Sequence, residues 1–220
     1  GFDDVGITTW DTSNITSMIE MFKNAREMDQ DISGWDVSNV TNMHGMFYNA
    51  NNFNNSVNAW DVSNVTNMNY MFSSCAEYNK PMNLWSCDSL TNALGFLSHA
   101  RKFNSAIFTN APLLANVGGF FQGAFLFNDI SIQNFPIGNV GITSLNKMFW
   151  DARAFNQDIS GWDTSKVTNM SGLFGNDNVL DYQKCAFNQN INAWDVSNVT
   201  NFSEMFKYSL NFQQDITWDL

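Results

Sequence analysis

The chain has little charge, and what charge it has is mostly negative. Only 14% of its residues are charged, Lys and Arg together number 10, and the formal net charge is −11. A nucleic acid or an anionic membrane surface is held by clusters of basic side chains, so neither is expected as a partner. The sequence has no run of 18 apolar residues, so no segment is predicted to span a membrane.

Residues suited to catalysis or metal binding are also scarce. The two histidines, His44 and His99, have no Cys or carboxylate partners at ligand spacing. The chain also lacks a Gly-rich phosphate loop, an H-E-x-x-H motif and a G-x-S-x-G motif. We therefore expect neither an enzyme nor a resident cofactor. Two interpretations of the three cysteines remain open: all three are buried thiols, or two form a disulfide and one remains a free thiol.

What the chain has is a repeat. The phrase W-D-V-S-N-V-T-N-M begins at Trp35, Trp60 and Trp194, with close variants at Trp10 and Trp162. We number eight copies, which begin at Trp10, Trp35, Trp60, Trp85, Thr109, Ile137, Trp162 and Trp194, and count positions in each copy from that residue as zero. Such a period predicts one repeat solenoid over residues 1–220, degenerate around 105–145 and carrying an insertion around 175–186.

Each copy contains three recognisable segments. F-N-Q-D-I-S-G-W reads as a short parallel strand with Phe, Ile and Trp turned inward, D-V-S-N as a turn, and M-x-x-M-F-x-x-A as a short helix or 3₁₀ turn. Piling up the copies should align the Phe at position 12 into a column. The Asn at position 19 should form a hydrogen-bonded ladder. These residues are Phe22, Phe47, Phe72 and Phe149 for the column, and Asn54, Asn79, Asn104, Asn128, Asn156 and Asn188 for the ladder.

The motif F-N-x-D-I-S-x-W-D-V-S-N-V-T-N-M, which the copy from Phe155 matches except at Thr164 and Lys166 and which is repeated along the chain, resembles the BspA-like leucine-rich repeats of mycoplasma-type surface proteins. The resemblance implies a right-handed, leucine-rich-repeat-like coil with one short strand and one short helix or 3₁₀ turn per repeat of about 25 residues. It also implies secretion or display at the cell surface, adhesion or partner binding, and no catalytic residues.

The Asp that follows the Trp recurs as Asp11, Asp36, Asp61, Asp163 and Asp195. Each could cap a turn by accepting backbone N–H bonds. The alternative is an acidic column that binds Ca²⁺, since stacked carboxylates repel one another and a cation would relieve this.

A partner is expected on the outward side chains of the strand segments. The predicted binding residues are Asp31, Ser33, Ser56, Asn58, Asn83, Phe108, Ile132, Phe135, Asp158, Ser160, Asn190 and Asn192. An apolar centre at Phe108, Ile132 and Phe135 framed by polar residues has the composition of a protein-binding patch. Alternatively, the degenerate copies turn some of these side chains inward, and a polar face with aromatic rings could equally bind glycans.

The sequence therefore favours an acidic, non-enzymatic protein outside the cell or on its surface, which uses one face for adhesion to a protein or glycan. The alternative is a structural subunit of a larger surface assembly. Neither end of the sequence carries an obvious polar cap, so either flanking sequence is missing or neighbouring subunits of an assembly cover the ends.

Overall fold

The computed structural model describes residues 5–138, 141–177 and 185–218. Within these residues there is no β-strand and no sheet, and the only helices are two 3₁₀ helices, Val5–Thr9 and Ile130–Asn134. The prediction of a leucine-rich-repeat-like solenoid with one strand and one helical segment per copy is therefore wrong. The predicted insertion at 175–186 lies mostly outside the described residues.

The segment predicted as helical is a run of consecutive turns. In residues 18–25 the amides of Met21 and Ala25 donate three residues back, to the carbonyls of Met18 and Phe22 at 3.4 and 3.0 Å. The amides that alternate with these donate to carbonyls of the next copy, as the Met18 amide does to the Asn42 carbonyl at 2.9 Å. A helix would direct every amide to the carbonyl four residues earlier. The apolar spacing of a helix arises here from separate turns, without the consecutive hydrogen bonds of a helix.

Left-handed residues recur in these turns and prevent a helix from forming. Positions 10 and 14 have positive φ in almost every copy, as at Gly45 (58°) and Asn49 (59°). Gly and Asn tolerate this conformation better than other residues, and a type II turn requires it at its third residue. At Gly95 a Cβ would also come within 2.5 Å of the Tyr70 ring.

The segment predicted as a strand is held by side chains instead of a backbone ladder. The Asn54 amide donates to Oδ1 of Asp29 at 3.0 Å, and the Asn79 amide donates to Oδ1 of Asn54 at 2.9 Å. The same bond recurs at Asn104, Asn128, Asn156, Asn188 and Gln213. This confirms the predicted asparagine ladder. It also explains the absence of a sheet, because side-chain oxygens take the place of the carbonyls that would pair two strands.

Consecutive copies lie against one another in chain order. Among the described residues, six isolated parallel bridges join position 7 of neighbouring copies, for example Asn42 to Asn67 and Asn67 to Asn92, and a seventh joins position 1, from Ser86 to Asn110. Six indole N–H groups among the described residues also donate to a carbonyl of the preceding copy, as Trp60 does to Ile32 at 3.2 Å; they belong to Trp35, Trp60, Trp85, Trp162, Trp194 and Trp218. A single bridge is too short to count as a strand, so the copies are paired without forming a sheet.

The core contains two rows of aromatic rings. Phe22, Phe47 and Phe72 are stacked, with centroids 5.6 and 5.3 Å apart, and Phe149 continues the row to Phe174 at 5.9 Å. A second row begins at Phe53 and runs through Tyr78, Phe103, Phe127, Phe155, Phe187 and Phe212 at 5.8–6.1 Å. The predicted in-register column of Phe22, Phe47, Phe72 and Phe149 is confirmed, except that Leu97 interrupts it between Phe72 and Phe121.

The two copies that lack Trp fill its place with neighbouring phenylalanines. Phe108 stacks on Trp85 at 6.5 Å, and Phe135 lies 6.2 Å from Phe108. Phe120 contacts both of them, at 6.2 and 5.2 Å. The degenerate region thus keeps a continuous core by shifting which residue of the copy turns inward.

Candidate functional site

Four of the predicted binding residues meet in one polar groove. The groove lies between the segments that precede Trp162 and Trp194 and has a volume of about 380 Å³. Its lining residues are Asp158, Ser160, Gln189, Asn190, Asn192 and Ala193. We call this the polar groove.

Local turns hold the side chains of the polar groove in place. The Asp158 carboxylate accepts the Ser160 amide at 3.0 Å, and Oδ1 of Asn190 accepts the Asn192 amide at 2.9 Å. The hydrogen bonds from Ser160 lower the pKa of Asp158, so this groove carries a negative charge at neutral pH. A hydrogen bond fixes the Gln189 side chain, whose Nε2 donates to the Asn156 carbonyl at 3.0 Å.

Asn192 links the polar groove to a second cavity. Its Nδ2 donates to the Asp215 carbonyl at 2.9 Å and its Oδ1 accepts the Thr217 amide at 2.9 Å. The second cavity has a volume of about 240 Å³, and its lining includes Asn192, Trp194 and Trp218. A carboxylate, several amides and a partly buried indole therefore lie along one continuous surface.

The polar groove retains hydrogen-bonding capacity for a ligand. Within the described residues the Asn190 Nδ2 group donates to no acceptor, and the Asp158 carboxylate has room for further donors. Both side chains are exposed. The arrangement can bind hydroxyl or amide groups, and nothing in it supplies a nucleophile paired with a base.

The other predicted polar residues occupy similar turns in earlier copies. Asp31 accepts the Ser33 amide at 3.0 Å. The Asn58 side chain donates to Oδ1 of Asn83 at 3.1 Å, and the Asn58 backbone amide donates to the Ser56 hydroxyl at 3.4 Å. These residues do not line the polar groove.

Phe108, Ile132 and Phe135 do not form a surface patch. Their side chains are 0%, 0% and 4% exposed. Phe108 and Phe135 take the place of missing tryptophans, and the Ile132 carbonyl accepts the Trp162 indole N–H at 3.1 Å. The expectation of an apolar, partner-facing centre is wrong, because the degenerate copies bury these residues to keep the core filled.

The aspartates that follow Trp cap turns, as one of the two interpretations predicted. Oδ1 of Asp61 accepts both the amide and the hydroxyl of Ser63, at 3.1 and 2.7 Å. Asp11, Asp36, Asp163 and Asp195 accept the amide of the residue two positions later in the same way. These bonds lower the pKa of each of the five carboxyl groups. Among the described residues, no group of three or more His, Cys, Asp or Glu side chains could hold a metal ion.

The cysteines are separate, buried thiols. Cys75, Cys87 and Cys185 form no disulfide. Burial raises the pKa of the Cys185 thiol to about 11, so this thiol is protonated at neutral pH. None of the helices in the described parts of the chain has the length and hydrophobicity needed to cross a membrane.

Comparison with known proteins identifies the family. The model of the family described as "Mycoplasma protein of unknown function, DUF285" matches residues 2–111, 109–185 and 177–220. These matches span nearly the whole sequence, so the chain belongs to this family of repeat proteins. No curated protein and no solved structure matches the chain.

Proposed function

We propose that this chain is a non-enzymatic binding module of the BspA-like surface-protein type, which acts in adhesion outside the cell and takes a neutral, hydroxyl-rich glycan in its polar groove. The observation that carries the proposal is the convergence of Asp158, Ser160, Asn190 and Asn192 from two neighbouring copies. The sequence resemblance to surface repeats supports the location.

A glycan fits the groove better than a charged or apolar ligand does. Amide and carboxylate groups bind sugar hydroxyls as donors and acceptors, and the second cavity that Asn192 shares with the groove is lined by Trp218, whose aromatic ring suits contact with a sugar. The acidic character of the chain disfavours polyanions. Because the turns already hold the side chains, little conformational entropy is lost when a ligand binds.

The test is binding of the purified chain to an array of neutral oligosaccharides, with Asn190→Arg as the groove variant. We expect the chain to bind a subset of the oligosaccharides and the variant to lose binding by about tenfold or more, since a long charged side chain blocks the groove. The matched control is Ser56→Arg, which changes the same position of an earlier copy outside the groove. Failure to bind any oligosaccharide, or equal binding by Asn190→Arg, would contradict the proposal.

A further inference from the structure

The two copies that form the polar groove are parallel, and their equivalent aromatic rings give the spacing between them. Before the groove residues, the Phe155 and Phe187 rings are 5.8 Å apart with an interplanar angle of 4°. After them, the Trp162 and Trp194 rings are 6.2 Å apart with an interplanar angle of 1°. Equivalent atoms of the two copies at the groove are therefore separated by about 5.8–6.2 Å.

Asp158 and Asn190 occupy the same place in these two copies. Each stands two residues after an asparagine of the ladder, and the Asn188 amide donates to Oδ1 of Asn156 at 2.9 Å, which fixes the register. Each also accepts, through Oδ1, the amide two residues later, at 3.0 and 2.9 Å. The second oxygen of Asp158 and the Nδ2 group of Asn190 are therefore equivalent atoms, and they lie one copy spacing apart.

An acceptor and a donor thus stand side by side in the polar groove. The Asp158 carboxylate accepts hydrogen bonds, and the Asn190 Nδ2 group donates them. In earlier copies no two successive residues at this place combine a carboxylate with an amide, since these residues are Asp31, Ser56, Pro81, Ala106 and Ile130. The pair therefore distinguishes the polar groove from the same place in the earlier copies.

Two adjacent hydroxyls of a sugar ring, a vicinal diol, fit this pair. Each hydroxyl both donates and accepts, so one can donate to the Asp158 carboxylate while its neighbour accepts from the Asn190 Nδ2 group. Hydrogen bonds of about 2.7–3.0 Å reach both oxygens when the hydroxyls are gauche, because the oxygens then point to the same side and lie closer together than the two copies. Hydroxyls held trans-diaxial point to opposite sides and reach only one partner.

A peptide amide does not fit the same pair. Its N–H and C=O point in opposite directions, so its two partners lie on opposite sides of it, as do the outer strands of a sheet, about 9.5 Å apart. The spacing of 5.8–6.2 Å between the two copies is too short for this arrangement. The geometry therefore favours a glycan over the backbone of a protein partner.

We propose that the polar groove recognises a gauche vicinal diol of the glycan, with one hydroxyl bound by Asp158 and the adjacent hydroxyl bound by Asn190. This inference rests on the proposed function and names the part of the glycan that is bound. Glycans without free adjacent hydroxyls are not ligands of the groove.

The first experiment exchanges the two members of the pair and measures binding to the oligosaccharide array. Asp158→Asn removes a charge-assisted bond and Asn190→Asp places two carboxylates side by side, so each variant should bind about tenfold more weakly. The double variant carries the same two groups in reversed order. It should bind within about threefold of the original chain, since a diol can reverse the direction of its hydrogen bonds.

The exchange preserves the turns, because Asp and Asn already form the same turn in this chain at Asp158 and Asn190. The matched control is Asp31→Asn, which changes an equivalent turn outside the groove and should leave binding unchanged. Unchanged binding by both single variants, or a double variant as weak as the single variants, would overturn the proposal.

The second experiment changes the ligand. Periodate cleaves the carbon–carbon bond of a vicinal diol, and borohydride then reduces the resulting aldehydes to alcohols. We expect the oligosaccharides that the chain binds to lose binding by about tenfold or more after this treatment, while borohydride alone should have no effect. Retained binding after periodate would overturn the proposal.

The outcome is separable from that of the proposed function. Oligosaccharide binding that survives periodate, or that the double variant does not restore, would reject the vicinal diol and leave glycan binding by the groove standing. Failure to bind any oligosaccharide would reject the proposed function and this inference with it.

Discussion

Tyr78 carries a buried hydroxyl that the fold does not satisfy. Its side chain is 0% exposed and lies between the Phe53 and Phe103 rings at 5.9 and 6.1 Å, against Phe72 at 4.2 Å. Among the residues that the structure describes, its hydroxyl oxygen has no hydrogen-bond partner. Burial also raises the pKa of this phenol. We predict that Tyr78→Phe stabilises the protein.

The magnitude follows from what the substitution removes. Leaving a hydroxyl buried without a partner costs about 1–3 kcal/mol, and removing it loses only a few dispersion contacts. The sequence provides the template for the change, since the same position is Phe in other copies, namely Phe53, Phe103, Phe127, Phe155 and Phe187. We expect the free energy of unfolding to rise by about 1 kcal/mol, which in a chain of this size raises Tm by roughly 2–4 °C.

The assay is urea unfolding followed by tryptophan fluorescence, with Tyr48→Phe as the matched control. Tyr48 is not fully buried, so its substitution should change the free energy of unfolding by less than about 0.5 kcal/mol. If Tyr78→Phe instead lowered stability by 1 kcal/mol or more, the hydroxyl must have a partner in solution, and the reasoning would be refuted.

Two further predictions concern the core and the capped turns. Phe108→Asp should abolish cooperative urea unfolding, because an unpaired carboxylate would replace a ring packed on Trp85 and Phe135, at a cost of several kcal/mol. If the variant still unfolded cooperatively, Phe108 would have to be an exposed residue and not part of the core. The lowered pKa of Asp61 means that the Ser63 bonds contribute stability above the unfolded pKa, near the ordinary value of 3.8, and lose it as pH falls through the folded value. The free energy of unfolding, measured from pH 6 to pH 2, should therefore decline below about pH 4. The decline should be less steep in Asp61→Asn, because the Asn amide oxygen accepts the Ser63 bonds at every pH. Identical slopes for the two proteins would contradict this prediction.

The parts of the fold that sequence reasoning predicted correctly depend on side-chain chemistry at fixed positions. The column of Phe22, Phe47 and Phe72 follows from a large ring recurring at position 12. The asparagine ladder follows from an amide side chain recurring at position 19. Any fold that places successive copies in contact must bring such residues together, whatever the backbone does between them.

Backbone conformation was the part that the pattern misrepresented. Apolar residues spaced three and four apart indicated a helix, yet the same spacing arises in turns whose alternate amides point to the next copy. A signal was present at positions 10 and 14, where Gly45, Asn49, Gly119 and Gly123 supply left-handed residues that a short helix does not use. The F-N-Q-D-I-S-G-W segment was predicted as a strand but forms none, because its backbone amides donate to side-chain oxygens. The alternation of apolar and polar residues does not reveal this choice of acceptor.

The candidate site was likewise only partly predictable from the sequence. The polar residues Asp158 and Asn190 could be selected from sequence because they stand beside an inward Ile in each copy. Their convergence into a groove depends on two particular copies. Phe108 and Phe135 were misplaced because the period assigns them an outward position.

The sequence by itself determined the period, the acidic and amide-rich character, the family and most of the residues that line the core. Only the tertiary structure decided where each backbone amide points and which copies bury a substitute for a missing Trp. The physical reason is that a repeat pattern records which side chains leave water. Hydrogen-bond direction is settled only when one copy lies against the next.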